Sequence, residues 1–222
     1  MKHAATAKPV SQGDSTKIEQ LLDSLIPHQI YPADTVLYEQ GSLAQEVYFI
    51  SDGFVKLHQV LSDGKEFIVD LRLIGGLLGA ASVIIQKPNP VAAVTLTKCR
   101  LCRIPAMTFL DLITHNADFV WYLNCVQSYE SFRGIERIVQ LGCLSAQQRL
   151  EQLLWQLISA MQPGAMQNEV PLQLLLKHRE ISQLVAVTPQ HLSRVFKDMQ
   201  KQGLIRLEKG LIIVLGPQKL YH

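Results

Sequence analysis

The sequence predicts an α+β chain: a block of short β-strands, one long helix, and a small helical unit that ends in a β-hairpin. Three observations predict it. Between Gln29 and Pro105, short runs of β-branched and aromatic residues alternate with glycines, the pattern of closely spaced strands and turns. From about Asp118 to Leu141, apolar residues recur at helical spacing. From Glu180 to Val214, two short helical patterns joined by a tight turn lead into two strand-like runs.

Residues 1–16 are assigned to a mobile tail, because the first 13 have no hydrophobic periodicity. A short helix follows, with Asp14 or Ser15 as its cap, Ile18, Leu21, Leu22 and Leu25 on one face, and Pro27 ending it. Strands are expected at Val36–Tyr38, Glu46–Ile50 and Phe54–Val60, with Asp63-Gly64 as a hairpin turn. Their spacing suggests a barrel or sandwich within residues 17–115. Gly75-Gly76 and Gly79 do not match a dinucleotide-binding loop and are not expected to open a helix.

After Pro105 the period becomes helical. A short helix holds Phe109, Leu110 and Ile113, and a long one occupies residues 116–142. In the long helix Trp121, Cys125, Ser128, Phe132, Ile135 and Val139 recur at spacings of 4, 3, 4, 3 and 4, beside a second stripe of Phe119, Leu123 and Val126. A helix that only covers a small core needs one stripe; two suggest that one side packs on its own domain and the other on a second chain. The alternative is a long helix buried within one monomer. Gly142 is expected to interrupt it, and Ser145-Ala146-Gln147-Gln148 reads as a capping box opening residues 143–222. The next helix carries Leu150, Leu153, Leu154, Leu157, Ile158 and Met161 and ends at Pro163-Gly164, before a strand from Val170 to Leu176.

The C-terminal motif is a helix-turn-helix. Glu180 to Val185 forms the first helix and Ala186-Val187 the turn. Thr188 caps the second helix, with Pro189 at its first position, where a missing N–H is harmless. Leu192, Val195, Phe196 and Met199 face inward; Gln190, Ser193, Arg194 and Lys197 face outward. Gly203 ends the helix. Leu204–Leu207 and Leu211–Val214, joined through Glu208-Lys209-Gly210, form a wing. Such a helix reads double-stranded DNA: Arg can pair with guanine and Gln with adenine in the major groove. Gln190, Ser193 and Arg194 are the candidate base readers. Thr188, His191, Lys197, Lys201, Arg206 and Lys209 are the candidate backbone contacts.

Composition agrees with that destination. Residues 1–142 hold 12 Lys+Arg and 14 Asp+Glu, whereas residues 143–222 hold 9 and 5, a basic C-terminal third suited to a polyanion. No apolar run approaches the roughly 20 residues of a membrane span, and residues 1–17 lack a secretory apolar core, so a soluble cytoplasmic protein with no membrane partner is expected. Four scattered cysteines, Cys99, Cys102, Cys125 and Cys143, do not make a disulfide framework. No phosphate loop, nucleophile elbow or paired metal-ligand motif is present, so an enzyme is not expected.

With these residues in hand, the chain resembles the Crp/Fnr family of bacterial transcription regulators. The segment Thr188–Lys197 with Gly203-Leu204-Ile205 is similar to the family's recognition helix and following strand. Gly41, Tyr48-Phe49-Ile50, Gly53, Val55-Lys56-Leu57 and Asp63-Gly64 resemble its N-terminal β-roll. The resemblance implies a β-roll sensor domain (a double-stranded, jelly-roll-like β-helix), a long dimerisation helix and a winged helix-turn-helix. It also implies a homodimer on a palindromic site and RNA polymerase as a partner. Three positions depart from the family: Gln190 stands where Glu is usual, Ala186 where Gly is common in the turn, and Lys177 where a Thr cap often precedes the first helix.

The implied ligand fits less well. Cyclic-nucleotide binders of the family hold ribose with a Gly-Glu pair and phosphate with an Arg-Ser or Arg-Thr pair; this chain has Gly79-Ala80 and Pro90-Val91 in those places. A buried phosphate without cation or donor is strongly disfavoured, and nearby Lys87 lacks bidentate geometry. Neither cAMP nor cGMP is therefore expected in the candidate effector pocket of Gly79, Ala80, Pro90 and Val91. An iron–sulfur cluster is not expected either: the family's oxygen sensors carry their cluster cysteines near the N-terminus, whereas no cysteine precedes Cys99 here, and Cys99 and Cys102, three apart in a strand, face opposite sides. Haem stays open through His28, His58 or His115, which leaves a haem- or redox-responsive regulator as one alternative and a ligand-binding signalling module without DNA binding as another.

Overall fold

The computed structural model describes residues 12–62, 64, 66–161, 169–172, 176–208 and 211–220. They form two compact units that meet inside one helix, between Arg133 and Gly134.

The first unit opens with α1 (Gln12–Leu25), followed by β1 (Gln29–Tyr31), β2 (Val36–Tyr38), β3 (Glu46–Asp52), β4 (Val55–Val60), β5 (Glu66–Arg72) and β6 (Leu77–Leu78). Then come α2 (Ala80–Ile85), β7 (Ala92–Thr95), β8 (Cys99–Pro105), α3 (Ala106–His115) and the first half of α4 (Ala117–Cys143). Two antiparallel four-stranded sheets result, in the orders β1-β8-β3-β6 and β2-β7-β4-β5. This is the expected roll.

Strand β3 explains why the layers assemble as they do. Tyr48 and Ile50 point into the space between the sheets with Val55, Leu57, Cys99 and Leu101. Val47 and Phe49 point the other way, into a second core with Ile18, Leu22, Phe109, Phe119 and Tyr122 from three helices. A strand buried on both faces reads as an unbroken apolar run rather than an alternation. The same period of two separates Cys99, in the inter-sheet core, from Cys102, in the helical one. Burial raises both thiols, Cys102 to about 11.

Helix α4 is capped by Asn116, whose side chain accepts from the Phe119 N–H at 2.9 Å. Its N-terminal half buries Phe119, Tyr122, Leu123 and Val126, and the Tyr122 hydroxyl donates to Gly75 O at 2.6 Å. The expected second stripe is therefore real, with Tyr122 added to it. On the other side Trp121, Phe132 and Ile135 are 63%, 69% and 61% exposed.

The second unit continues with α5 (Ala146–Met161), β9 (Glu169–Leu172), α6 (His178–Leu184), α7 (Pro189–Lys201), β10 (Ile205–Glu208), β11 (Leu211–Leu215) and a 3₁₀ turn (Pro217–Leu220). Its sheet has the order β10-β11-β9, all antiparallel. The capping box is formed: the Ser145 N–H donates to Gln148 Oε1 at 2.9 Å, and the Gln148 N–H to Ser145 Oγ at 3.3 Å.

Several expectations need correction. Helix α1 opens at Gln12, so residues 12–16 are helical and Asp14 and Ser15 lie inside it; Leu25 ends up exposed. Gly79 does open a helix, the six-residue α2, from a left-handed conformation with no side-chain cap; buried Ala80, Ser82 and Val83 hold this turn by packing, which leaves no capping signal. Gly142 does not interrupt α4, because one glycine costs only about 1 kcal/mol relative to alanine and the helix runs on to Cys143. Of the strand expected from Val170 to Leu176, Val170 to Leu172 lie in β9, Leu176 is not in a strand, and residues 173–175 lie outside the described residues; α6 starts at His178 and ends at Leu184. Most of the tail, Asp63 of the hairpin turn, Pro163-Gly164, and Lys209 and Gly210 of the wing lie outside the described residues.

Phe119 and Phe132 share one helix, with 0% and 69% of their surface exposed. Phe119→Ala is expected to lose about 3–5 kcal/mol in chemical denaturation, whereas Phe132→Ala leaves the monomer's stability within about 0.5 kcal/mol of the parent.

Candidate nucleic-acid interface

The second unit builds its outward face on one amphipathic helix. In α7, Leu192, Val195, Phe196 and Met199 are buried while Gln190, Ser193, Arg194 and Lys197 are exposed. Burying each apolar side chain is worth roughly 1.5–3 kcal/mol, so this anchor fixes which face turns to solvent. Thr188 Oγ1 accepts from the His191 N–H at 3.2 Å, and Pro189 takes the first helical position. Both N-terminal signals read from the sequence are formed. Gly203, at φ +66°, provides the stop.

The turn before α7 carries strain. Ala186 has φ +54°, where its Cβ crowds the following carbonyl. Two arginines grip this point. Arg149, on α5, donates from Nε to Val185 O at 2.7 Å and from Nη1 to Leu144 O at 2.6 Å; Arg137, on α4, donates to Leu184 O. A cation at the last carbonyls of a helix is favoured by the helix dipole. Neither contact is visible in the sequence, because a carbonyl acceptor carries no residue signature.

The candidate DNA-contacting side chains fall into three groups. Gln190, Ser193, Arg194, His191 and Lys197 share the exposed side of α7. Ser193 Oγ donates to Pro189 O at 3.1 Å and lies 3.3 Å from His178 Nε2, while the His178 ring sits against Phe196; sequence reasoning missed this neighbour. Lys201 is exposed, 3.7 Å from Asp198. Arg206 is engaged elsewhere: it pairs with Glu169 at 2.9 Å and also with Glu208. Those carboxylates raise its guanidinium pKa further and offset the charge it could offer a phosphate. Lys209 lies outside the described residues.

At the candidate effector pocket of the first unit, Ala80 is buried in α2, Pro90 is exposed and Val91 is half-buried. Gly79 is packed tightly: a Cβ there would meet Glu46 O at 2.9 Å and Asn89 Oδ1 at 3.9 Å. Asn89 is buried with Oδ1 unpartnered, an acceptor that a phosphate anion cannot satisfy. The side chains of Ala80, Pro90 and Val91 carry neither a cation nor a hydroxyl. Among the haem candidates, His28 is held by Asp23 and by Ser51 Oγ at 2.6 Å, His115 pairs with Asp111 at 2.9 Å, and His58 is buried with Nδ1 unpartnered. Among the described residues, no group of three or more His, Cys, Asp or Glu is arranged to hold a metal ion.

Thr188→Ala is expected to cost about 1 kcal/mol through loss of the cap. Ala186→Gly should recover up to about 1 kcal/mol of the left-handed strain, and Ala186→Val should destabilise. Urea denaturation of the three variants checks all of these signs.

Comparison with known proteins agrees with this geometry. Residues 28–116 match the cyclic nucleotide-binding domain and residues 148–222 the Crp-like helix-turn-helix domain. The chain is 27% identical over 210 residues to the cAMP-activated global transcriptional regulator CRP of Haemophilus influenzae, covering 93% of each chain. It shares its fold with FixK2 of Bradyrhizobium japonicum, at a TM-score of 0.76 and 19% identity over 89% of this chain and 96% of that one. It does so too with the c-di-GMP-responsive regulator CLP of Xanthomonas campestris, at 0.71 and 22% over 91% and 99%. No helix among the described residues is long and apolar enough to cross a membrane. With a roll, a long helix and a capped, solvent-facing reading helix all present, the chain belongs to the Crp/Fnr family of DNA-binding transcription regulators.

Proposed function

We propose that the chain acts as a homodimer that binds a palindromic promoter site, reads bases through Gln190, Ser193 and Arg194, and does so without cAMP or cGMP. The observation that carries the reading is the exposed polar side of α7 above its buried anchor. Arg194 supplies a bidentate donor for guanine and Gln190 a donor–acceptor pair suited to adenine. Thr188, His191, Lys197 and Lys201 set the register on phosphates. Arg206, already paired with two carboxylates, contributes less. RNA polymerase is the partner this family role calls for.

The dimer rests on the outer stripe of α4. Trp121, Phe132, Ile135, Ile138 and Val139 are all more than half exposed, whereas Cys125 of the same row is half-buried against the chain's own core. A stripe this apolar on one helix is covered in a stable protein, and a two-fold copy of the same stripe is the self-complementary solution. The same symmetry would set two reading helices about 34 Å apart on successive major grooves. The nucleotide-free reading rests on the donor set: Ala80, Pro90 and Val91 offer neither a cation nor a hydroxyl to a phosphate.

Arg194→Ala is expected to weaken binding to a selected duplex at least tenfold and to relax specificity at one base pair per half-site, whereas Lys197→Ala lowers affinity for all sequences and reduces the salt slope by about one. Fluorescence anisotropy over a salt series separates the two, and an unchanged specificity in Arg194→Ala sinks the reading-helix assignment. Phe132→Glu with Ile135→Glu should sediment as a monomer. Calorimetry with cAMP should detect no binding; micromolar affinity would overturn that part.

A further inference from the structure

Strand β5 and helix α4 are joined by four charges that no DNA-binding role uses. Asp70 and Arg72 lie two apart on the strand, so both face the same way. Glu130 and Arg133 lie three apart on the helix and are neighbours on one side. Arg72 pairs with Glu130, and its Nε stands 3.5 Å from Asp70 Oδ2. Arg133 donates from Nη2 to Asp70 Oδ1 at 2.8 Å and from Nη1 to Leu71 O at 3.4 Å. The order Glu130–Arg72–Asp70–Arg133 alternates in sign and sums to zero. All four side chains are between 19% and 25% exposed.

The surroundings are part-buried. The Tyr38 phenol is pushed up to about 12 by burial, with Arg72 opposing and Glu130 adding to the shift. Burial likewise raises the Glu130 carboxyl against the pull of Arg72. Part-buried charges of this kind persist when each is paired, because removing one partner strands the other. An anionic ligand entering here would meet two arginines already engaged and two carboxylates repelling it.

A small molecule can shift a protein toward one state only through contacts it makes better in that state. Any contact that ties the roll wall to the long helix favours the state in which the two are held together. In this chain the joint is made by its own side chains. We propose that the Glu130–Arg72–Asp70–Arg133 bridge stands in for an effector, so that the chain binds its DNA site with no small anion present. This rests on the DNA-binding reading for its readout only.

The test uses the full chain, purified and dialysed free of nucleotides. Duplexes are enriched from a random pool without nucleotide and, in parallel, with 1 mM cAMP or cGMP as probe ligands. The expected result is the same site in every pool, with an affinity that nucleotide changes less than twofold. Enrichment only with nucleotide overturns the proposal. Glu130→Gln, which is isosteric, and Arg72→Gln, which removes the guanidinium, should each weaken binding at least fivefold, and the double variant should be no weaker than either single one. Wild-type affinity in the single variants, or effects that multiply in the double, also overturns it. Amide hydrogen exchange of β5, read without DNA, should quicken in Glu130→Gln, and unchanged protection counts against the bridge. Arg194→Ala serves as the control: if it too binds as wild type, the DNA-reading assignment has failed rather than the bridge.

Discussion

The packing of Phe119, Tyr122, Leu123 and Val126 against the outer face of β3 constrains the rest of the first unit. The Phe49 and Tyr122 rings lie 6.0 Å apart, and the Tyr122 hydroxyl is tied to Gly75 O at 2.6 Å. Once that face of α4 is fixed, helical geometry decides the others. Trp121, Phe132, Ile135 and Val139 must turn outward, and Glu130 and Arg133 must come to rest against β5. One hydrophobic contact thereby sets both the surface that a second copy would cover and the charges that tie the roll to the helix.

Polar contacts then act at a few chosen points. The two arginines at Leu184 O and Val185 O neutralise the end of α6 where Ala186 is strained. They come from α4 and α5, so the turn that aims α7 is held by elements outside the helix-turn-helix itself. On the wing, Arg206 is taken up by Glu169 and Glu208, so its charge is already balanced. Charge in this chain is placed more by pairing than by excess, in keeping with its modest net charge of +2.

Much of this was legible in residue patterns because the forces involved are local. The Ser145/Gln148 box, the Thr188 cap with Pro189 and the 3-4 spacing on α7 depend only on near neighbours, and each is formed. The long helix announced its two faces through the same spacing. Elsewhere local signals misled. Helix α2 has no capping residue and forms because Ala80, Ser82 and Val83 are buried. Gly142 looked like a stop, yet one glycine is a small penalty against a helix of 27 residues. Arg206 looked free for phosphate because Glu169, its partner, is 37 residues away in the chain.

The sequence by itself determined the succession of strand block, long helix and helix-turn-helix, the buried and exposed sides of α7, the apolar outer row of α4 and the lack of cation or hydroxyl at Pro90-Val91. These follow from periodicity and side-chain chemistry, which act within a few residues. Only the tertiary structure decided that Asp70 and Arg72 meet Glu130 and Arg133, that Arg137 and Arg149 close on the turn at Ala186, and that His178 backs Ser193. Such pairings join residues from 15 to 63 positions apart, and at that distance a charge or a carbonyl has no pattern that names its partner; packing of the intervening chain chooses it.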